Sequence, residues 1–295
     1  MSAAVIETRL PLPLARRGKV RDVYDLGEHF LFVATDRISA FDVVLSPGIP
    51  DKGRVLTQIS NFWFSKFRDI ENHLIESKFS RFPAEVRAHE ELRGRSVIVK
   101  RCDVIPIECV ARGYLAGSGL KEYDETGKVC GITLEKGLTT ASRLSKPIFT
   151  PATKEESGHD QNISFETMSE MIGAGLAAQL RDLTLKLYSR AAEYALTRGI
   201  IIADTKFEFG LFEKRVVWID EALTPDSSRF WPADQYTTGR NPPSYDKQFV
   251  RDWLETTGWN KTPPSPELPS EVVMRTREKY LEAYRQLTNA ELRDE

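Results

Sequence analysis

Apolar and polar positions along this chain follow two periods, a two-residue alternation in short runs and a three-to-four spacing in longer ones. Strand patterns dominate the first third. "KVRDVYDLG" and "HFLFVATD" meet at a glycine-containing turn and predict a hairpin, and "DVVLSPGIPDKG" predicts another strand ended by a Pro/Gly turn. "RVLTQISNFWFSKF" carries Leu56, Ile59, Phe62 and Trp63 at helical spacing, and "RSVIVKRCDVIPIECVARGYL" returns to strands. A helix inserted among antiparallel strands, without strict β-α-β alternation, predicts an α+β fold.

From Lys121 to about Ser164 the chain is polar and rich in Gly, Pro, Thr and Ser, which predicts a long ordered excursion. Helices are predicted at 164–173 and 175–198, the second buried along Leu176, Leu180, Leu183, Leu187 and Ala191 and stopped by Gly199. A Pro-rich aromatic loop is expected to run to about Ser244. Helices in "YDKQFVRDWLETTGW" and "PSEVVMRTREKYLEAYRQLTN" complete the chain. The boundary expected near Leu115–Leu120 gives a β-rich N-terminal lobe over 1–116 and a C-terminal lobe over 117–295, with a cleft between them.

One strand breaks the pattern. "IIIADTKFEFGLFEKRVVWIDEA" begins as a buried strand, yet Asp204, Lys206 and Glu208 alternate onto one face while Ala203, Thr205, Phe207 and Phe209 take the other. Water on a half-exposed antiparallel strand would explain that face equally well. A hairpin loop centred on Lys214, however, would set Glu208 opposite Asp220, at about 4.5–5.5 Å between Cβ atoms, where like charges repel. A hard divalent cation with oxygen ligands, Mg²⁺ above all, is the natural counter-charge.

Composition narrows the classes. At 295 residues, with 41% hydrophobic and 28% charged residues, the chain is that of an ordinary globular protein. The net charge of −2 offers no bulk attraction for nucleic acid or an anionic membrane. No run suits a membrane helix or a signal peptide, and Cys102, Cys109 and Cys130 form neither a CxxC pair nor a disulfide framework, so a cytoplasmic protein is expected. GxGxxG, GxxxxGK[ST] and HExxH are all missing from the sequence.

Several segments could grip anions. Lys19 and Arg21 follow Gly18 and could lie over a polyphosphate, or could simply guard a strand edge. Gly117 and Gly119 flank Ser118 before a helical run, which makes either a plain Ser cap or an anion site to which Arg112 adds a charged fork. Asp226, Ser227, Ser228 and Arg229 suit a turn or a phosphate grip. Asp36, Arg37, Ser39 and Asp42 form a polar loop, and Lys154, His159 and Asp160 another. Together they suit an ATP-dependent reaction on a phosphorylated substrate.

Seven blocks in order, "GKVRDVYDL", "ATDRISAFDVVL", "PIECVARGYLAGSG", "ATKEESGHDQNIS", "ADTKFEFG", "DEALTPDSSRFW" and "YDKQFVRDWL", resemble the SAICAR synthetase family of purine biosynthesis, in its longer form. The resemblance implies a two-lobed fold with ATP in a cleft beneath an antiparallel sheet. It implies ATP, L-aspartate and carboxyaminoimidazole ribonucleotide as small-molecule substrates, with Mg²⁺, and a monomer or small homo-oligomer. Carried onto these residues, Lys19 and Lys154 hold ATP phosphates with Arg21 assisting. Glu208 and Asp220 bind Mg²⁺, with Asp204 nearby. Arg112, Ser118 and Arg229 grip the ribonucleotide phosphate, Lys206 lies by the carboxylate being activated, and Ser39 and Asp42 contact the nucleotide or aspartate. The rivals are a small-molecule kinase of related fold and a non-catalytic nucleotide-binding regulator.

Overall fold

The computed structural model describes residues 3–154 and 161–293. Its first part contains β1 (Leu14–Arg17), β2 (Arg21–Asp25), β3 (His29–Ala34), β4 (Ile38–Ala40), β5 (Val43–Leu45), α1 (Lys52–Lys66), β6 (Leu74–Glu76), α2 (Ala84–Arg87) and β7 (Ser96–Lys100). Next come β8 (Asp103–Val104), β9 (Ile107–Tyr114), α3 (Gly117–Thr126), β10 (Lys128–Val129), β11 (Ile132–Thr133) and β12 (Arg143–Thr153). The rest is α4 (Phe165–Ile172), α5 (Ala174–Thr197), β13 (Ile200–Phe212), β14 (Arg215–Ile219), β15 (Ser228–Pro232), α6 (Gln248–Thr256) and α7 (Ser270–Thr288).

Two antiparallel sheets organise the molecule, as an α+β fold requires. The first has the order β1-β2-β3-β7-β6, and the second the order β12-β9-β13-β14, with β8 and β15 also paired to β13. The first sheet ends at Lys100, and β9 already belongs to the second, so the sheets part earlier than the boundary expected near 116. Helices α1, α5 and α7 cover one face of the second sheet and bury Trp63, Leu180, Leu187, Phe207, Trp218 and Tyr280 in the main core. Among the described residues, no helix is long and apolar enough to cross a membrane.

Two strands lie where loops were expected. The polar excursion after Lys121 contains the 11-residue β12, and the Pro-rich loop before Ser244 contains β15. Pro147 and Pro151 hide β12 from a strand pattern, but β12 ends the sheet, where a missing N–H costs no ladder bond. In α5, Ala177, Thr184, Tyr188 and Ala195 complete the buried stripe in place of Leu176 and Leu183, which are only partly covered.

The centre of the fold is β13. Ile200 and Ile202 share a core with Phe207 and Phe209, although simple alternation puts them on opposite faces. The pairing with β15 shifts between Ile202 and Thr205, and one extra residue there exchanges the faces. Tyr188 donates its hydroxyl to the Ile202 carbonyl at 2.7 Å, through space that any side chain on Gly113 would fill. Beyond the bulge, Asp204, Lys206 and Glu208 lie opposite the buried phenylalanines, as their spacing predicts.

Candidate active site

The charged face of β13 runs between two cavities. One, of about 420 Å³, is lined by Glu108, Arg112, Ser118, Asp204, Lys206 and Arg229 among others. The second, of about 400 Å³, has an apolar floor of Val23, Phe30, Phe32 and Ile219 and a charged end of Arg21, Lys154, Glu208 and Asp220.

In the first cavity, Arg112 on β9 stands directly opposite Asp204 on β13. Arg112 is buried and donates to Thr150 Oγ1 at 3.0 Å, Asp204 Oδ2 at 2.9 Å and Ser118 Oγ at 3.0 Å. Arg229 donates to the same Asp204 oxygen. The glycines around Ser118 therefore have a packing reason, since a Cβ on Gly117 would collide with Arg229 and one on Gly119 would crowd Arg112. Ser118 does not cap α3, whose N-cap is Ala116; its hydroxyl faces the guanidinium. Arg112, Ser118 and Arg229 thus line one cavity beside the start of a helix.

The second cavity corrects the expected register. Phe212 pairs with Arg215 and Glu208 with Ile219, so the turn is the two residues Glu213 and Lys214 and not a loop centred on Lys214. Both have positive φ, 50° and 64°, the backbone of a tight hairpin turn more often built from Asn and Gly. Glu208 and Asp220 still meet in one cavity, because Asp220, with φ 65°, turns out of the strand just past Ile219. Lys154 pairs with Glu208, and Arg21 pairs with Asp220. Burial, with the Asp220 carboxylate adding to it, pushes the Glu208 carboxyl up to about 6. Asp220 is moved the other way, its own burial outweighed by Arg21 and Lys154. His73 at the back of the cavity is held neutral by burial, its pKa pushed down to about 3.

Asp204 does not join the expected metal set. It lies four positions along the strand from Glu208, roughly 13 Å at strand rise, and its carboxylate is taken by two guanidiniums. Among the described residues, no group of three His, Cys, Asp or Glu side chains could hold a metal ion. Glu208 and Asp220 remain, two oxygen donors whose mutual repulsion a hard cation relieves. That donor pair fits Mg²⁺ completed by phosphate oxygens and water.

Lys19 lies in the turn between β1 and β2 and pairs with Asp42, which lines the first cavity from the tip of the β4–β5 hairpin. Ser39 lines neither cavity. Asp36 and Arg37 are structural: Asp36 accepts from Gly53 N, Val5 N and Arg95, and Arg37 ties down the Gly18 and Lys19 carbonyls. Lys206 pairs with Glu108 of β9. His159 and Asp160 lie outside the described residues. Glu108, Asn162, Asp246 and Arg251 also line the first cavity and were not singled out. Alternation along β9 puts Glu108 on the face of Arg112 and could have revealed it; the other three carry no local signal.

A cavity with an apolar floor and a lysine–carboxylate end, and another built around arginines, lie along one strand, an arrangement suited to an enzyme that handles a nucleotide and a second small anion. Residues 14–266 match the SAICAR synthetase family. The phosphoribosylaminoimidazole-succinocarboxamide synthases of Syntrophotalea carbinolica and Geotalea uraniireducens are 56% and 57% identical, each over 98% of this chain and 99% of that protein. The Saccharomyces cerevisiae SAICAR synthase, solved in complex with SAICAR, superposes with a TM-score of 0.89 at 44% identity, covering 98% of this chain and 99% of that one. A SAICAR synthetase solved in complex with ADP shares the fold at a TM-score of 0.70 and 23% identity, over 94% of this chain and 98% of that one. The chain belongs to the SAICAR synthetase family, ATP-dependent carbon–nitrogen ligases of purine biosynthesis.

Proposed function

We propose that the enzyme joins L-aspartate to carboxyaminoimidazole ribonucleotide by way of an acyl phosphate, with ATP in the cavity between the two sheets and the ribonucleotide in the arginine-lined cavity. One observation carries this reading. Asp204, Lys206 and Glu208 share one face of β13, so phosphate grip, central ammonium and carboxylate end form a single line from cavity to cavity.

Arg112, Ser118 and Arg229 bind the ribonucleotide phosphate, with Asp204 holding both guanidiniums in their fork. The base and its carboxylate then extend toward Lys206. Lys154, Arg21 and Lys19 take the ATP phosphates, exchanging their present carboxylate partners for phosphate oxygens. Glu208 and Asp220 would hold Mg²⁺, which neutralises phosphate charge when bound. The substrate carboxylate attacks the terminal phosphorus and ADP leaves, a step between two anions that Lys206 and Lys154 make feasible by charge and alignment. The aspartate amine, after losing a proton, attacks the acyl carbon, and phosphate departs with one former carboxylate oxygen. No protein nucleophile is needed. Such an enzyme works in the cytoplasm, in keeping with the buried unpaired thiols of Cys109 and Cys130.

Coupled measurement of ADP release, omitting each substrate in turn, tests the reading. Release is expected only with all three, and ¹⁸O in the ribonucleotide carboxylate is expected to reach inorganic phosphate. ADP formation without aspartate at the full rate favours a kinase, and no label in phosphate rules out the acyl phosphate.

A further inference from the structure

The segment joining β14 to β15 starts at Asp220 in one cavity and passes Asp226 and Ser227 in the other before Arg229 on β15, so it touches both cavities. Helix α1 holds it at three points. Ser60 Oγ accepts from Ala222 N at 3.0 Å, Trp63 Nε1 donates to the Leu223 carbonyl at 3.2 Å, and Lys52 Nζ donates to Asp226 Oδ2 at 2.8 Å. The third contact differs in kind from the first two. The Lys52 side chain is 0% exposed and that of Asp226 1%, so a full ion pair lies buried in the wall of the ribonucleotide cavity.

Asp226 has two more partners from distant parts of the chain. Lys247, just before α6, donates to Oδ2 at 2.9 Å, and the buried Tyr280 hydroxyl of α7 donates to Oδ1 at 2.6 Å. Lys52 and Lys247 offset the Asp226 carboxylate, while Glu221 lies near the same cluster and Asp246 lines the same cavity. A lone carboxylate there would repel a substrate carrying both phosphate and carboxylate, in a setting of low dielectric where such repulsion is strong. Lys52 itself does not line the cavity.

We infer that Lys52 is a positioning residue for the ribonucleotide, acting through Asp226: it fixes the Asp226 carboxylate and the Pro225–Arg229 turn, and it offsets the Asp226 charge that would otherwise face the substrate. The inference rests on the reading of the arginine-lined cavity as the ribonucleotide site. It separates the two ends of one segment. The Asp220 end keeps its Ser60 and Trp63 contacts when Lys52 is lost, so ATP binding is spared while ribonucleotide binding is not.

Steady-state kinetics of Lys52→Met, Asp226→Asn, the double variant and Tyr280→Phe test it, each with melting temperature. Lys52→Met is expected to raise KM for the ribonucleotide about tenfold or more, with KM for ATP changed less than about twofold. On the Asp226→Asn background the same change is expected to add less than about twofold, because its partner is already gone. Tyr280→Phe keeps both lysines and is expected to show the same split at about two- to fivefold. If Lys52→Met does not fold, the double variant, which removes both members of the Lys52–Asp226 pair and leaves only Lys247 without its carboxylate, and Tyr280→Phe carry the test. Equal shifts in both KM values, or an undiminished effect on the Asp226→Asn background, overturn the inference. Wild-type enzyme lacking ribonucleotide-dependent ADP release would instead sink the functional reading beneath it.

Discussion

The two cavities hold their charges in different ways. In the arginine-lined cavity the central pair is buried and shared, with Arg112–Asp204 side chains 4% and 6% exposed and each member holding further partners, while Arg229 and Lys206 at its edge are 28% and 46% exposed. In the apolar-floored cavity both pairs are open, with Lys154–Glu208 at 28% and 21% and Arg21–Asp220 at 19% and 27%. Open pairs can exchange partners at little cost when a triphosphate and a cation arrive together. Buried pairs cannot, so the phosphate grip is built before its ligand comes. On the proposed assignment, rigidity is placed at the small-substrate end and the ATP end is left adjustable.

Breaking a buried pair is expected to do the most damage. Arg112→Ala leaves Asp204 with Arg229 alone and loses about 3–5 kcal/mol of stability in urea melts, besides raising KM for the ribonucleotide. Arg229→Ala, whose side chain is 28% exposed, should raise the same KM with a smaller stability loss. At the ATP end the balance reverses. Glu208→Gln or Asp220→Asn is expected to lower kcat by about 10²–10³ while leaving the fold intact, and wild-type turnover in both would remove their assigned role.

The third contrast concerns pH. The folded Glu208 carboxyl titrates near 6, above its ordinary value of 4.5, so its buried charge costs stability. That cost is absent below about 4.5, where the carboxyl is protonated in both states, and grows as pH rises through about 6 to about 2 kcal/mol in all. Glu208→Gln should therefore gain stability relative to wild type between pH 4.5 and 7, as melts at each pH would reveal. Activity runs the opposite way and should fall as pH drops and the carboxyl protonates, because a protonated carboxyl holds no cation. Smallest are the rim residues. Lys19→Ala should raise KM for ATP a few-fold, and Ser39→Ala should leave every kinetic constant within about twofold.

The same division decides what could be read from the chain alone. Local pattern was enough for the β2–β3 hairpin, α1, α5 and the charged face of β13. The register after Glu208 was off by one, because Glu213 and Lys214 adopt a turn that their side chains do not announce. Asp204 looked like a metal ligand only while Arg112 and Arg229 were absent from its neighbourhood. Asp226 could be noticed as a turn residue, but its partners Lys52, Lys247 and Tyr280 arrive from three distant elements, and no spacing predicts them. Short-range chemistry was legible; charge networks closed by tertiary packing were not.

Lys206 stands at the middle of the line joining the two cavities, and Lys206→Met tests that line most directly. Titration calorimetry should give dissociation constants for ATP and for the ribonucleotide, each alone, within about threefold of wild type, while ADP formation with all substrates falls at least about a hundredfold. Unchanged turnover, or a tenfold loss of binding for either ligand with kcat preserved, would contradict a central ammonium that acts only when both ligands are in place.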